Sequence, residues 1–310
     1  MATLLVSHHD CIEHDTGPFH PESPDRLRAV MRVLEHEDFM LLHRAEAPHA
    51  TREQLLHVHP LSYIEEILGR IPHETLHAID DDTFVSPMSG EAALRAAGAV
   101  VLAVDAVAKG EVKNAFCAVR PPGHHAEMHK AMGFCLFNNV CVGAFQARVE
   151  HGLQRVAIID FDVHHGNGTQ HIVWDDPGMF YASTHEAGSF PDTGFSGETG
   201  AHNNVVNCPL PAGSEGIQFR QAFEGQVIPA LKAFDPDLIM ISAGFDAHAN
   251  DPMAHLRLTV ADFTWATHQL LAVADEVCEG RLVSVLEGGY DLPALAGSVV
   301  AHVKALMGID

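Results

Sequence analysis

An acidic and histidine-containing segment follows an apolar run near the middle of the chain. Ile158 and Ile159 lead into Asp160, Asp162 and His164, which are spaced two residues apart. In extended backbone, residues two apart point to the same side, so these three polar side chains share one face. Two carboxylates and an imidazole that converge at a strand end suit a divalent metal such as zinc. We therefore predict a metal site here, the alternative being a turn, which Asp and Gly also begin.

Three other apolar runs end in residues that can take part in catalysis. His124 and His125 follow the first run, Asp246 follows the second, and Tyr290 follows the third, just after Gly288. In open parallel sheets, ligands bind at the carboxyl ends of the strands. We therefore expect all four segments to meet at one edge of a sheet and to form an active site.

The chemistry that these residues predict is hydrolysis of an amide or a related acyl bond. Asp162, His164 and Asp246 would hold a zinc ion and leave one position for water. Because two carboxylates neutralise the metal's charge, the water needs a general base, which the neighbouring histidine pair offers. Tyr290 can donate a hydrogen bond to the oxyanion that develops on an acyl carbonyl. Metal, base and donor together predict metal-assisted hydrolysis.

The composition limits the class of protein. The chain has 310 residues, of which 47% are hydrophobic, and this size allows one α/β domain over residues 1–310. A formal net charge of −23 and the lack of a basic cluster argue against direct nucleic-acid binding.

The expected location is the cytoplasm. The six cysteines form no CxxC pair, which is typical of a reducing compartment. The apolar stretch 92–108 is too short and too charged to span a membrane. Residues 1–6 predict a first strand rather than a signal peptide, because they lack a charged start and a long apolar run.

Strand-like apolar runs alternate with helical patterns along nearly the whole chain. This alternation predicts an α/β fold with a mostly parallel central sheet covered by helices on both faces. The predicted strands are residues 3–7, 115–119, 155–160, 179–183, 238–242 and 282–286. The predicted helices are residues 24–36, 90–109, 138–151, 214–233, 260–279 and 292–307. The long irregular segments 7–23 and 185–204 are expected to be functional loops.

Five segments have the form of motifs from a known protein family. They are RPPGHHA (120–126), GFCLFNN (133–139), DFDVHHGNG (160–168), SAGFD (242–246) and EGGY (287–290). They resemble the zinc-dependent histone deacetylase/acetylpolyamine amidohydrolase superfamily. HPESPDRL (20–27) resembles the class II branch and its bacterial members. The resemblance covers nearly the whole chain and implies a single-domain arginase/deacetylase-type α/β fold with long active-site loops.

The resemblance implies a role for each residue of the catalytic set. Zinc, or ferrous iron in the cell, would be bound by the three ligands named above. His125 would be the general base and then the acid that protonates the leaving amine. His124, oriented by Asp160, would stay charged, and Tyr290 would polarise the acyl carbonyl.

A structural potassium ion near the zinc is also implied by the resemblance. It would be held by Asp160, by the Ser183 hydroxyl, and by the backbone carbonyls of Asp162, His164 and Thr184.

A narrow acyl-lysine tunnel is a further implied feature. Phe134 and Phe190 would form its walls, Gly133 its floor, and Gly288 would belong to the same substrate site. Ordinary core packing is the alternative for both phenylalanines.

One position departs from the class I pattern. The residue that pairs with the second histidine, an aspartate in class I members, is Asn167 here. An amide cannot supply the negative charge that raises an imidazole pKa. We therefore predict that His125 titrates at a lower pH than it would in an aspartate-paired site.

The substrate is less strongly determined. Polyamine-selective relatives carry an acidic residue where this chain has Met253, and Met offers no partner to a second amine. This favours an acyl-lysine peptide or a simple acylated amine over an acetylpolyamine. Against this stands the acidic run 80–82, which either lies near the pocket or forms only a solvated turn, the turn being the preferred interpretation.

Three alternatives remain open at this point. The loop 73–82 could narrow the mouth of the site through homo-oligomer formation. The chain could instead be a non-catalytic member that binds an acyl ligand or a partner. It could also be an arginase-like hydrolase with two metals.

Overall fold

The strands of the computed structural model, which describes residues 2–309, form an eight-stranded sheet and a separate two-stranded hairpin. They are β1 (Thr3–Ser7), β2 (His43–Glu46), β3 (His77–Ala78), β4 (Phe84–Val85), β5 (Asn114–Cys117), β6 (Val156–Asp160), β7 (Met179–Glu186), β8 (Val205–Leu210), β9 (Leu238–Ala243) and β10 (Leu282–Leu286). The order across the sheet is β2-β1-β5-β10-β9-β6-β7-β8, and every pairing in it is parallel. β3 and β4 form the antiparallel hairpin.

Helices cover both faces of this sheet. They are α1 (Pro24–Leu34), α2 (Arg52–Leu56), α3 (Leu61–Gly69), α4 (Ser89–Ala108), α5 (Asn139–His151), α6 (Asn167–Val173), α7 (Gly216–Ala222), α8 (Ile228–Phe234), α9 (Val260–Val277) and α10 (Leu292–Met307). The alanine-rich α4 packs on α5 and on β1 and β5, where its small side chains allow close approach. On the other side, α9 and α10 pack together against β9 and β5. The confirmed fold class is therefore an α/β sheet between helical layers.

The burial of the four central strands explains why they could be predicted from apolar runs in the sequence. Every residue of β5, β6, β9 and β10 is buried, as expected for parallel strands covered on both faces. All six predicted strands are present, with β5 ending two residues earlier and β7 three residues later than predicted. The predicted helix 214–233 is divided into α7, a π-helical turn (Phe223–Val227) and α8.

The sequence prediction missed the two edge strands of the sheet. β2 is polar and largely exposed, and β8 contains Pro209, which cannot donate a backbone hydrogen bond. Edge strands commonly carry charged residues and proline, so they lack the apolar pattern of central strands.

Both long loops lie at the carboxyl edge of the sheet, where His20 and Phe190 line a common cavity. Within residues 2–309, no helix combines the length and apolar character needed to cross a membrane.

Candidate active site

The turns after β6 and β9 bring the three predicted metal ligands together. β6 and β9 are neighbours in the sheet, so Asp162 and His164 lie beside Asp246. His164 Nδ1 is 3.2 Å from Asp162 Oδ1 and 3.2 Å from Asp246 Oδ2. All three side chains are buried, and one ligand atom from each lies within 4.8 Å of the others.

The electrostatics of this cluster indicate a site for a cation. Burial opposes charge on His164, but hydrogen bonds to Asp162 and Asp246 outweigh it and raise the pKa of His164 to about 10. Burial, together with the charge of Asp162, raises the pKa of Asp246 to about 7. Two carboxylates buried this close together are costly unless a positive charge lies between them.

The backbone leaves room at these carboxylates and orients them. A Cβ at Gly288 would lie 2.0 Å from Asp246 Oδ2, and a Cβ at Gly244 would lie 2.1 Å from Asp162 Oδ2. The Gly288 N–H donates to Asp162 Oδ2 at 2.7 Å, and the Val163 N–H donates to Asp246 Oδ1 at 2.8 Å. One imidazole nitrogen and two oriented carboxylates form a donor set that fits zinc.

The two adjacent histidines have different partners. His124 Nδ1 lies 3.0 Å from Asp160 Oδ2, and His125 Nδ1 lies 2.8 Å from Asn167 Oδ1. Both imidazoles are buried, and their ring centres are 4.0 Å apart. The structure thus places each histidine beside the partner that the sequence predicts.

These partners separate the charge states of the pair. Burial disfavours the imidazolium of His124, but the charges of Asp162 and Asp160 outweigh it and raise its pKa to about 10. Burial and the positive charges of His124 and His164 instead hold the pKa of His125 well below its ordinary value. One member of the pair is therefore charged and the other is neutral near pH 7.

Gly133 fixes the position of the neutral histidine. Its φ of +56° is in the left-handed region, and a Cβ there would lie 2.5 Å from His125 Cδ2. A side chain at residue 133 would displace the imidazole, so only glycine meets both requirements.

A cavity of about 350 Å³ leads to this cluster. Phe134 and Phe190 lie on its walls, and the Phe190 ring centre is 5.1 Å from that of His125. Gly288, which was predicted to belong to the substrate site, lies against the carboxylates of Asp162 and Asp246 and is not among the residues that line the cavity. The lining residues are His20, Pro21, Asp81, Asp82, Phe84, His125, Gly133, Phe134, His164, Phe190, Met253 and Tyr290.

The acidic run 80–82 is a turn between β3 and β4, and it also borders the cavity. Asp81 is exposed to solvent, and both Asp81 and Asp82 line the cavity. The Asp80 carboxylate accepts hydrogen bonds from the backbone N–H groups of Asp82 and Thr83, which shapes the turn. Burial raises the pKa of Asp82. Whether this turn lies near the pocket depends on the tertiary structure, so the sequence left both interpretations open.

The residues proposed for potassium lie on neighbouring strands. Asp160 of β6 is paired in register with Ser183 of β7, and Thr184 follows directly. Asp160 Oδ1 accepts the Asp162 N–H at 3.1 Å, and its Oδ2 accepts the Tyr181 hydroxyl at 3.0 Å. The structure thus brings Asp160 and Ser183 together beside the predicted metal ligands.

A buried ionic network beside Tyr290 was not predicted from the sequence. Arg26 of α1 lies over the Tyr290 ring, 4.9 Å from its centre, and donates to the Gly289 carbonyl at 2.6 Å. Glu22 accepts hydrogen bonds from both Arg26 and Arg120, and these charges hold its pKa below the ordinary range against the effect of burial. The i,i+4 spacing of Glu22 and Arg26 was the only local signal for this network.

Asp251, in the loop after β9, is a second residue whose role was not predicted from the sequence. Its carboxylate accepts backbone N–H bonds from Tyr290 at 2.7 Å, Met253 at 3.0 Å and Asp291 at 3.2 Å. It therefore ties the loop after β9 to the loop after β10. Buried Glu287 has a similar role. Its carboxylate accepts a hydrogen bond at 2.7 Å from the N–H of Gly123, the residue directly before the histidine pair in the sequence.

Comparison with known proteins agrees with this geometry. Residues 20–306 match the histone deacetylase domain, so the chain belongs to the histone deacetylase family. Members of this family are generally metal-dependent. Because the chain carries the deacetylase domain, it is a hydrolase that acts on amide bonds.

Two relatives and one solved structure illustrate the similarity. A protein of Arabidopsis thaliana named histone deacetylase 14, chloroplastic, is 38% identical over 329 residues, which cover 100% of this chain and 78% of that protein. A histone deacetylase-like amidohydrolase of Pseudomonas aeruginosa is 38% identical over 296 residues, which cover 94% and 77%. The crystal structure of the HDA15 HD domain has a TM-score of 0.93 at 34% identity and covers 99% of this chain and 88% of that chain.

Proposed function

We propose that the protein is a zinc-dependent deacetylase that removes acetyl or other short acyl groups from acyl-lysine or a similar acylated amine. The observation that carries this proposal is the buried Asp162–His164–Asp246 cluster beside a neutral histidine at the end of a cavity. In this cluster, His164 Nδ1 lies 3.2 Å from an oxygen of each carboxylate. Zinc bound there would polarise the acyl carbonyl and acidify a water molecule.

The proposed roles of the histidines follow from their charge states. His125, neutral and bonded through Nδ1 to Asn167, has Nε2 free to take a proton from water and later return it to the leaving amine. His124, charged by its contact with Asp160, would stabilise developing negative charge without transferring a proton.

Tyr290 is proposed to donate a hydrogen bond to the acyl oxygen. Burial raises the pKa of Tyr290 well above its ordinary value, so the phenol keeps its proton. Its backbone is fixed by Asp251, and its ring is covered by Arg26. A fixed donor of this kind needs no reorganisation as charge develops.

The potassium site and the substrate tunnel complete the proposal. Asp160, Ser183 and the carbonyls of Asp162, His164 and Thr184 would hold potassium behind the zinc. Phe134 and Phe190 would pack on the alkyl chain of the substrate, and Met253 lines the same cavity. We also propose one catalytic domain over residues 1–310 and, because all six cysteines are buried free thiols, a reducing compartment such as the cytoplasm.

Asp81 and Asp82 favour a second candidate substrate, an acetylpolyamine. Met253 supplies no charge for a distal ammonium group, but the carboxylates of Asp81 and Asp82, which line the same cavity, could do so. The net charge of −23 acts in the same direction, because it attracts cations.

The test is a side-by-side hydrolysis assay of the zinc-loaded protein. An acetyl-lysine peptide, N-acetylputrescine and N-acetylspermidine are compared, with Asp162→Ala as the inactive control. Higher kcat/KM for the peptide supports the acyl-lysine proposal. Polyamine preference that disappears in Asp81→Asn/Asp82→Asn but not in the exposed control Asp25→Asn supports the second candidate. Lack of turnover of these and of longer-acyl substrates, with zinc bound, contradicts the proposed function.

A further inference from the structure

Asn167 has hydrogen-bond partners on the side that faces away from His125. Its Oδ1 faces His125 Nδ1 at 2.8 Å, and its Nδ2 donates to Glu127 Oε1 at 2.9 Å. The same NH₂ group lies 3.4 Å from the sulfur of Met132, a weak acceptor. The second Glu127 oxygen lies 3.3 Å from Nδ1 of His171, which is exposed. A chain of hydrogen bonds thus runs from the proposed general base to the surface.

The direction in which the Asn167 amide points decides which nitrogen of His125 carries the proton. The carbonyl oxygen can only accept, so it requires a hydrogen on Nδ1 and leaves Nε2 free as a base. The NH₂ group can only donate, so a flipped amide would require a bare Nδ1 and place the hydrogen on Nε2. In that tautomer Nε2 could not take a proton from water.

An asparagine side chain does not select between these orientations by shape. The oxygen and the NH₂ group are nearly equal in size, so neighbouring groups determine the orientation. A deprotonated carboxylate only accepts hydrogen bonds, and Glu127 therefore binds the NH₂ end. An aspartate at residue 167 would present oxygen in either orientation and would not need this partner.

Glu127 is well placed to hold the amide. Its own backbone N–H donates to the Lys130 carbonyl at 2.9 Å, which closes the turn directly after the histidine pair. The Thr169 N–H in the first turn of α6 donates to the His124 carbonyl at 3.1 Å, so the segments carrying Glu127 and Asn167 are joined. The Glu127 side chain is 28% exposed and borders a separate cavity of about 300 Å³ that Asp175 also lines.

We propose that Glu127 is a positioning residue that fixes the Asn167 amide and, through it, the tautomer of His125. This inference rests on the proposed deacetylase function, since it assigns a second residue to the action of the general base. Glu127 contacts neither the substrate cavity nor the metal ligands and acts only through the amide.

The first test compares Glu127→Leu with Glu127→Gln. Leucine removes the acceptor, so the wrong tautomer becomes populated, and kcat should fall by about 10-fold to 10²-fold, a part of what a general base contributes. KM and zinc content should be unchanged. Glutamine keeps an acceptor oxygen, but its amide can also turn round and donate, so its kcat should lie between those of wild type and Glu127→Leu. Asp175→Asn removes one charge from the same cavity without touching Asn167 and should behave as wild type.

A second test uses Asn167→Asp in two backgrounds. In the wild-type background the new carboxylate lies against Glu127, and the repulsion should reduce kcat. In the Glu127→Leu background the aspartate presents oxygen in either orientation and should restore activity above that of Glu127→Leu alone. This reversal of sign is not expected if Glu127 only stabilises the fold.

The third test measures the tautomer of His125 directly and does not depend on catalytic activity. ¹⁵N NMR of histidine-labelled protein should show the hydrogen of His125 on Nδ1 in wild type, partly on Nε2 in Glu127→Leu, and less on Nε2 in Glu127→Gln than in Glu127→Leu. An unchanged tautomer in Glu127→Leu, or equal loss of kcat in the leucine and glutamine variants, overturns the inference. If wild-type protein hydrolyses no acylated amine, the proposed function fails, and the NMR result alone decides whether Glu127 orients the amide.

Discussion

At the scale of single residues, neighbours rather than residue type determine the chemistry of the histidine pair. His124 and His125 are adjacent, buried and 4.0 Å apart, yet the pKa of one is raised to about 10 and the pKa of the other is lowered. The difference arises because the carboxylates of Asp162 and Asp160 act on His124, whereas burial and the positive charges of His124 and His164 act on His125. That Asn167 keeps the pKa of His125 lower than an aspartate would stays a prediction.

We predict that Tyr290→Phe lowers kcat by about 10²-fold to 10³-fold, the usual effect of removing one oxyanion donor. Phenylalanine keeps the packing on Phe134 and the contact with Arg26, so KM and zinc content should change little. Steady-state kinetics and metal analysis of the same preparation check this. Unchanged turnover would remove Tyr290 from the mechanism.

Asp246→Asn should leave the Tm of the metal-free protein undiminished but abolish the stabilisation by zinc. Burial and the charge of Asp162 make the Asp246 carboxylate unfavourable in the metal-free protein, so its loss should not lower the metal-free Tm. The rise in Tm that zinc produces in wild type, a consequence of binding to the folded state, should disappear. Thermal melts with and without added zinc measure both effects. A variant that zinc still stabilises as strongly as wild type would exclude Asp246 as a ligand.

At the scale of elements, α1 is joined to the active site by a buried charge rather than by apolar packing alone. Arg26 donates to the carbonyls of Glu287 and Gly289 in the loop after β10, at 2.5 Å and 2.6 Å. Its partner Glu22 also binds Arg120, which directly precedes the loop of the histidine pair. A single network therefore links three segments that are far apart in sequence.

We expect Arg26→Met to destabilise the fold by about 3–5 kcal/mol, the typical cost of breaking a buried ion pair. The matched control is Arg28→Met on the same helix, whose exposed pair with Asp25 should contribute less than about 1 kcal/mol. Urea unfolding of both variants and wild type measures the difference. Equal effects of the two substitutions would show that the buried network does not stabilise the loop.

At the scale of the whole molecule, buried neutral histidines make stability depend on pH. His302 lies between Thr267 and Ser284, at 2.7 Å and 2.8 Å, and burial lowers its pKa from 6.5 to about 3. Burial also lowers the pKa of His59 to about 4. Because the unfolded chain binds these protons more readily, the folded state is favoured above pH 6.5 and loses stability as the pH falls towards 3.

His302→Asn should reduce this acid sensitivity. Below pH 6.5, each buried histidine of this kind removes roughly 1.4 kcal/mol of unfolding free energy per pH unit. Urea unfolding at pH 7 and at pH 5 should therefore show a smaller pH-dependent loss in the variant than in wild type, even though its stability at pH 7 is lower. The same loss in both proteins would mean that other groups cause the acid sensitivity.

The sequence alone determined the central architecture of this protein and predicted the residues that the structure brings together in the candidate site. Asp160, Asp162 and His164 lie within five consecutive residues, and the strands before each catalytic segment are fully buried, so short-range patterns were sufficient. Only the tertiary structure decided that Glu22 binds Arg120, that Asp251 holds the Tyr290 loop, that Glu127 holds Asn167, and that Asp81 and Asp82 line the cavity. These contacts join residues tens of positions apart, where no local periodicity or spacing can indicate which side chains meet.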